Sequence, residues 1–137
     1  MQCNRSLSNE AMDHIDHALG RPVNPLRPAS RNYFAAGGVL ADEMRRSSHW
    51  EEVRRHRGTS VFVVTDAGCQ ALAEHLREIS DPHRIYIVSW ARSGSGRCFA
   101  AKSAGKARYA AFLDVADVDP DLTFGVFCRE TTVRVAR

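Results

Sequence analysis

Apolar residues along this chain follow two periods, and the period changes from one segment to the next. Ala11, Ile15, Ala18 and Leu19 have helical spacing behind Ser8, a candidate N-cap, and Leu7 is placed to staple onto Met12. Gly20 in the C′ position and Pro22 beyond it end this helix. Pro22, Pro25 and Pro28 within Arg21–Ser30 predict an extended connector, because proline fixes φ and removes an amide donor. Arg31-Asn32-Tyr33-Phe34 then offers two aromatic rings to the helical core, and Gly37-Gly38 is a break. Residues 39–47 predict a short helix with Val39, Leu40 and Met44 on one side. Ser48-His49-Trp50-Glu51 has the form of a capping box. It predicts another helix, with Trp50 and Val53 buried and Arg54-Arg55-His56-Arg57 at its C-terminal end, where the helix dipole favours positive charge.

After Gly58 the pattern turns to strand. Ser60-Val61-Phe62-Val63-Val64 is rich in β-branched residues, and Thr65-Asp66 then caps a long helix whose apolar face is Cys69, Leu72, Leu76 and Ile79. Asp81-Pro82 closes it. Arg84–Ala91 and Arg97–Ala101 predict a hairpin joined through Ser93-Gly94-Ser95-Gly96. Ser103 caps a helix reaching about Val118, and Asp119-Pro120-Asp121 breaks it. Leu122–Cys128 predicts a short aromatic-bearing turn or helix, and Thr131–Val135 a last strand. The expected fold class is α+β. A mainly helical unit over 1–80 is expected to pack against a β-β-α-β unit over 81–137 as one compact domain, since the link between them is short.

Composition narrows the class. Of 137 residues, 44% are hydrophobic and 26% charged, which is globular rather than disordered. No apolar run approaches the roughly 18 residues of a membrane span. Nothing apolar follows Met1–Arg5, so no signal peptide is expected, and a cytoplasmic location in a bacterial cell is. The net charge of +3 permits an anionic partner without demanding one. Seventeen of the 19 basic residues are Arg, scattered rather than blocked, as a GC-rich coding sequence would give. Cys3, Cys69, Cys98 and Cys128 contain no C-x-x-C pair, so zinc is not expected and reduced, mostly buried thiols are.

Two segments carry a resemblance. Val61-Phe62-Val63-Val64-Thr65-Asp66-Ala67-Gly68-Cys69-Gln70-Ala71-Leu72 runs a strand through T-x-x-G into an amphipathic helix, where the Thr caps the helix and the Gly permits close approach to the strand. It resembles the wing strand and last helix of winged-helix proteins. Ala104–Asp114, with His14–Gly20 and Arg31–Phe34, resembles a group of small phage and prophage proteins. The resemblance implies a mobile-element origin and a winged-helix-like character for the helical half.

The candidate binding residues are cations. Arg45, Arg46, Arg54 and Arg55 lie in the densest basic stretch, on what read as two consecutive helices, where they could meet phosphates together. Glu51 and Glu52 are within reach of Arg54 and Arg55, whereas Arg45 and Arg46 have no acidic residue immediately downstream. The second group is Lys102, Ser103, Lys106 and Arg108. Here basic residues open a helix that ends in Asp114 and Asp117, so both ends oppose the helix dipole, and an anion at the N-terminus would compensate. Tyr86 and Trp90 share one strand face that either stacks bases or packs inward. His14 and His17 are three residues apart but lack the further ligands of a metal site. Asp117-x-Asp119-x-Asp121 lacks the Gly and Glu of a calcium loop. No catalytic set or cofactor motif emerges. The expectation is a non-catalytic phage or prophage accessory protein that binds nucleic acid. The alternatives are an anti-CRISPR-like inhibitor of a host defence nucleoprotein complex and a virion assembly component.

Overall fold

A computed structural model describes residues 1–137, which form two compact units, Gln2–Asp81 and Pro82–Arg137. No helix is long and apolar enough to cross a membrane.

The first unit is not mainly helical. It contains α1 (Glu10–Ala18), β1 (Phe34–Gly37), α2 (Gly38–Arg46), β2 (Trp50–His56), β3 (Thr59–Val64) and α3 (Asp66–Glu78), with an antiparallel sheet ordered β1-β3-β2. The cap of α1 is Asn9, one residue after Ser8; its side chain accepts from the Met12 amide at 3.1 Å. The helix expected after Ser48 is strand β2. Local capping chemistry loses there to pairing with the β-branched run of β3. Arg57 and Gly58, both at positive φ (49° and 79°), close the two strands in a two-residue hairpin of the primed kind. Val53 is not a buried partner of Trp50: it sits at a bulge between Glu52 and Arg54 and is 54% exposed. Strand β1 likewise forms where the pattern predicts only aromatic packing and a glycine break.

Register decides which side chains form the core. Phe34, Ala36, Trp50, Ser60, Phe62 and Val64 share the face on which the helices pack, and Phe62 and Ser60 are fully buried. Ala35, Glu51, Arg54 and Val61 stand on the opposite face. The Thr65 cap of α3 forms as expected, with Oγ1 accepting from the Gly68 amide at 3.2 Å.

The second unit contains β4 (Arg84–Trp90), β5 (Ser95–Ala101), α4 (Ala104–Ala116), α5 (Phe124–Glu130) and β6 (Thr131–Val135), with antiparallel strand order β5-β4-β6. Tyr86 and Val88 face the two helices and pack with Ala107, Ala111, Leu122 and Phe127. Ile85, Ile87 and Ser89 stand on the other face.

The close approach at Gly68 gives a prediction. Alanine is the better helix former by up to about 1 kcal/mol. A Cβ at Gly68 would, however, lie 2.6 Å from the His49 carbonyl oxygen and 2.6 Å from a Val64 methyl carbon. Gly68→Ala should therefore destabilise the protein by about 1–3 kcal/mol in equilibrium denaturation. A neutral or stabilising effect would contradict this packing.

Candidate nucleic-acid interface

Register and helix packing disperse the first group of cations. Arg45, in the last turn of α2, donates from Nε to Glu52 on β2 at 2.7 Å, from Nη1 to Asp42 at 2.7 Å and from Nη2 to the Ser60 hydroxyl on β3 at 2.8 Å. Its guanidinium therefore ties α2 to the sheet. Arg55 donates to the same Glu52 at 3.1 Å. The bulge at Val53 puts Glu52 and Arg55 on one side of the sheet, because it shifts the alternation of side chains by one residue. The Ser60 hydroxyl, with the Arg45 guanidinium next in weight, holds the Glu52 carboxyl at about 2, well below its ordinary 4.5.

Arg46 and Arg54 are exposed and unpaired. They do not converge. Arg46 belongs to a helix packed on one face of the sheet, and Arg54 projects from the other face, with Val61 opposite it in register. The expected single patch of Arg45, Arg46, Arg54 and Arg55 is thus one clamp, Arg45–Glu52–Arg55, and two separate free cations.

The second group stays closer together. Ser103 caps α4, its hydroxyl oxygen accepting from the Lys106 amide at 3.2 Å. Arg108 turns away from solvent: Nε donates to the Thr131 hydroxyl at 3.1 Å and Nη2 to the Thr131 carbonyl at 3.3 Å, joining α4 to the start of β6. Lys102 and Lys106 remain exposed and unpaired. Topology gathers further cations beside them. The end of β5, the start of β4 and the end of β6 meet at one end of the sheet, where Arg84 pairs in register with Ala101 and the Ala136 amide bonds the Ile85 carbonyl at 2.8 Å. Arg137 therefore lies at the same end, and Arg134 precedes it on the face opposite the helices, next to Ile87. Both are exposed.

The carboxylates of this unit collect at its other end. Asp114 pairs with Arg97 at 3.2 Å, and Arg92 lies 2.7 Å from Glu130 and 3.7 Å from Asp119. The Trp90 indole N–H donates to Glu130 at 2.9 Å and, with Arg92, lowers the Glu130 carboxyl below its ordinary range. Residues 82–137 carry nine basic and five acidic residues, against ten and eleven in residues 1–81. Within the second unit, exposed cations without ion-pair partners thus gather away from most of its carboxylates, apart from Arg129 beside Glu130.

The remaining constellations resolve into packing. Tyr86 and Trp90 face their own helices, and Trp90 meets Phe127 edge-on at 5.5 Å, so no aromatic face is left for bases on that side. His14 and His17 both pack on the Phe34 ring, at 5.1 and 5.8 Å. A cleft of about 450 Å³ between α1, α2 and the start of β2 is lined by Glu10, His14, Glu43, His49 and Trp50; its two carboxylates disfavour a phosphate there. Burial raises the Cys3 and Cys69 thiols, which makes them poor nucleophiles near neutral pH.

Sequence reasoning missed a buried ion network. Arg5 donates to both oxygens of Asp16, to Asp81 at 3.0 Å and to the Pro22 carbonyl at 2.7 Å, while Arg21 reaches Asp13 at 2.7 Å and Asp16 at 3.3 Å. A signal was present: Asp16 occupies an apolar position of α1, four residues from Met12 and three from Leu19. No protein-family model matches the chain, and no curated protein or solved structure shows significant similarity to it.

The Glu52 clamp predicts a pH effect. A carboxyl depressed in the folded state adds stability above its ordinary value, and that stability is lost as pH falls through the folded value. Glu52→Gln should lower the melting temperature by a constant amount above pH 4.5, and the difference should close as pH falls to about 2. A difference independent of pH would show that the clamp does not act through charge.

Proposed function

We propose that this protein is a non-catalytic accessory protein that binds nucleic acid through the basic end of its second unit. The observation that carries this reading is the segregation of charge there: Lys102, Lys106, Arg134 and Arg137 are exposed and without ion-pair partners, while the carboxylates lie at the opposite end. Phosphate contacts need cations that the fold does not already use. Arg45, Arg55 and Arg108 fail that condition, so the contact surface moves from the first group of cations toward the second.

The winged-helix likeness belongs to this proposal. It is supported by the junction of β3, Thr65 and α3, and the Arg57-Gly58 hairpin tip stands where a wing would project, with Arg54 exposed beside it. The phage or prophage origin rests on the short segments Ala104–Asp114, His14–Gly20 and Arg31–Phe34.

Fluorescence anisotropy with labelled duplex DNA over a salt series tests the reading. With about three phosphate contacts, a roughly fourfold rise in salt should lower affinity about 40-fold. Lys102→Glu with Arg137→Glu should weaken binding about uniformly across sequences and flatten the salt slope. Absence of binding at low salt would overturn the proposal, leaving a protein partner as the reading to pursue, such as a host defence complex.

A further inference from the structure

Helix α4 packs Phe112 and Val115 against its own core yet leaves two further large apolar side chains outside it. Its buried positions are the small Ala107 and Ala111, at 0% and 5% exposure, whereas Tyr109 and Leu113 are each 49% exposed. Tyr109 stacks on Phe112 at 6.3 Å and meets Phe124 of α5 edge-on at 5.4 Å. Phe124 is itself 38% exposed, so these rings form one continuous outer patch. Patches of this kind mark interaction surfaces rather than ordinary solvent-facing helix.

Charge on the same face selects the occupant. Lys106 lies in the first turn of α4 and Asp117 caps its last, so each opposes the helix dipole, and neither has an ion-pair partner. At 100° per residue, Lys106 and Asp117 fall about 20° apart, on one flank of the stripe formed by Tyr109, Leu113 and Ala116. A two-fold axis crossing the helix near residues 111 and 112 makes that stripe self-complementary. A second α4 laid antiparallel across it brings Lys106 of each copy opposite Asp117 of the other, on the same side of the contact, with Tyr109 and Leu113 between them. The antiparallel arrangement also opposes the two helix dipoles.

We propose that the protein forms a two-fold symmetric homodimer through the outer face of α4, centred on Tyr109 and Leu113 and flanked by two Lys106–Asp117 ion pairs. One helix face is small for an obligate interface, so the dimer is a weak, reversible one. In the dimer Lys106 is taken up by its ion pair, and Lys102, Arg134 and Arg137 remain for phosphate on each copy.

Sedimentation of the purified protein without nucleic acid tests this independently of the binding reading above. The weight-average mass should rise with concentration from 15.2 kDa toward twice that value. Lys106→Asp or Asp117→Lys alone should weaken association about tenfold, because each places like charges opposite one another twice. The double variant should restore it to within about twofold. Leu113→Ser should abolish it with an unchanged far-UV circular dichroism spectrum, as expected for an exposed position. A monomer at all concentrations, or a dimer whose affinity ignores both charge swaps, would overturn the proposal. So would a double variant no better than either single one, which would point to a surface complementary to a different protein.

Discussion

The side chain of Arg5 is 3% exposed, and everything at the base of the first unit meets on it. Its guanidinium binds Asp16 of α1, the Pro22 carbonyl in the proline-rich connector and Asp81 just past α3. With Arg5 itself, these groups bring together four separate stretches of chain. Asp16 is fully buried and would be intolerable there without a cation. Replacing a buried pair by matched apolar groups is often harmless, but removing one partner leaves a bare charge and costs about 3–5 kcal/mol. The connector has no helix and no strand beyond the Gln2–Pro22 bridge; this network fixes its start, and the Asn32 side chain, bonded to both the amide and the carbonyl of Val64, fixes its end.

The same logic separates structural from available charge across the chain. Where a guanidinium is held by a carboxylate or a backbone carbonyl, it acts as a crosslink: Arg5, Arg45 and Arg108 each join separate elements, and Arg21 ties the start of the connector back to α1. Lys102, Lys106, Arg134 and Arg137 join nothing; Lys102, Lys106 and Arg137 lie where three strand ends and a helix start come together, and Arg134 stands on the other face of the sheet beside Ile87. That placement follows from antiparallel pairing, which returns the end of β5 and the end of β6 to the start of β4. The polarity of the second unit is therefore a product of topology acting on charges that are far apart in the sequence.

Most elements were legible where local chemistry agreed with the final packing. Gly20 and Thr65 mark helix ends as expected, and Thr131–Val135 is the strand its composition implies. The failure at 48–57 has a definite cause. The capping-box pattern is local, whereas the pairing of Trp50–His56 with Thr59–Val64 depends on a turn whose first residue, Arg57, adopts a positive φ that its identity does not advertise. Strand β1 has four residues and no alternation to read. The candidate cations were legible as residues but not as partners. That Glu52 captures Arg45 depends on the hairpin, and that Arg108 turns inward depends on Thr131, 23 residues away. Arg134 and Arg137 gave no signal, since only strand pairing brings them near Lys102.

The claim on which the functional account rests is that the fold engages Arg45, Arg55 and Arg108 and leaves Lys102, Lys106 and Arg137 free at one end of the second unit. A titration of isotope-labelled protein with a short DNA duplex at low salt, followed by amide NMR, tests it most directly. The account predicts shifts concentrated at residues 102–106 and 134–137, with residues 42–60 largely unmoved. Shifts centred on Arg45, Glu52 and Arg55 would contradict it, because the clamp would then have opened to meet phosphate.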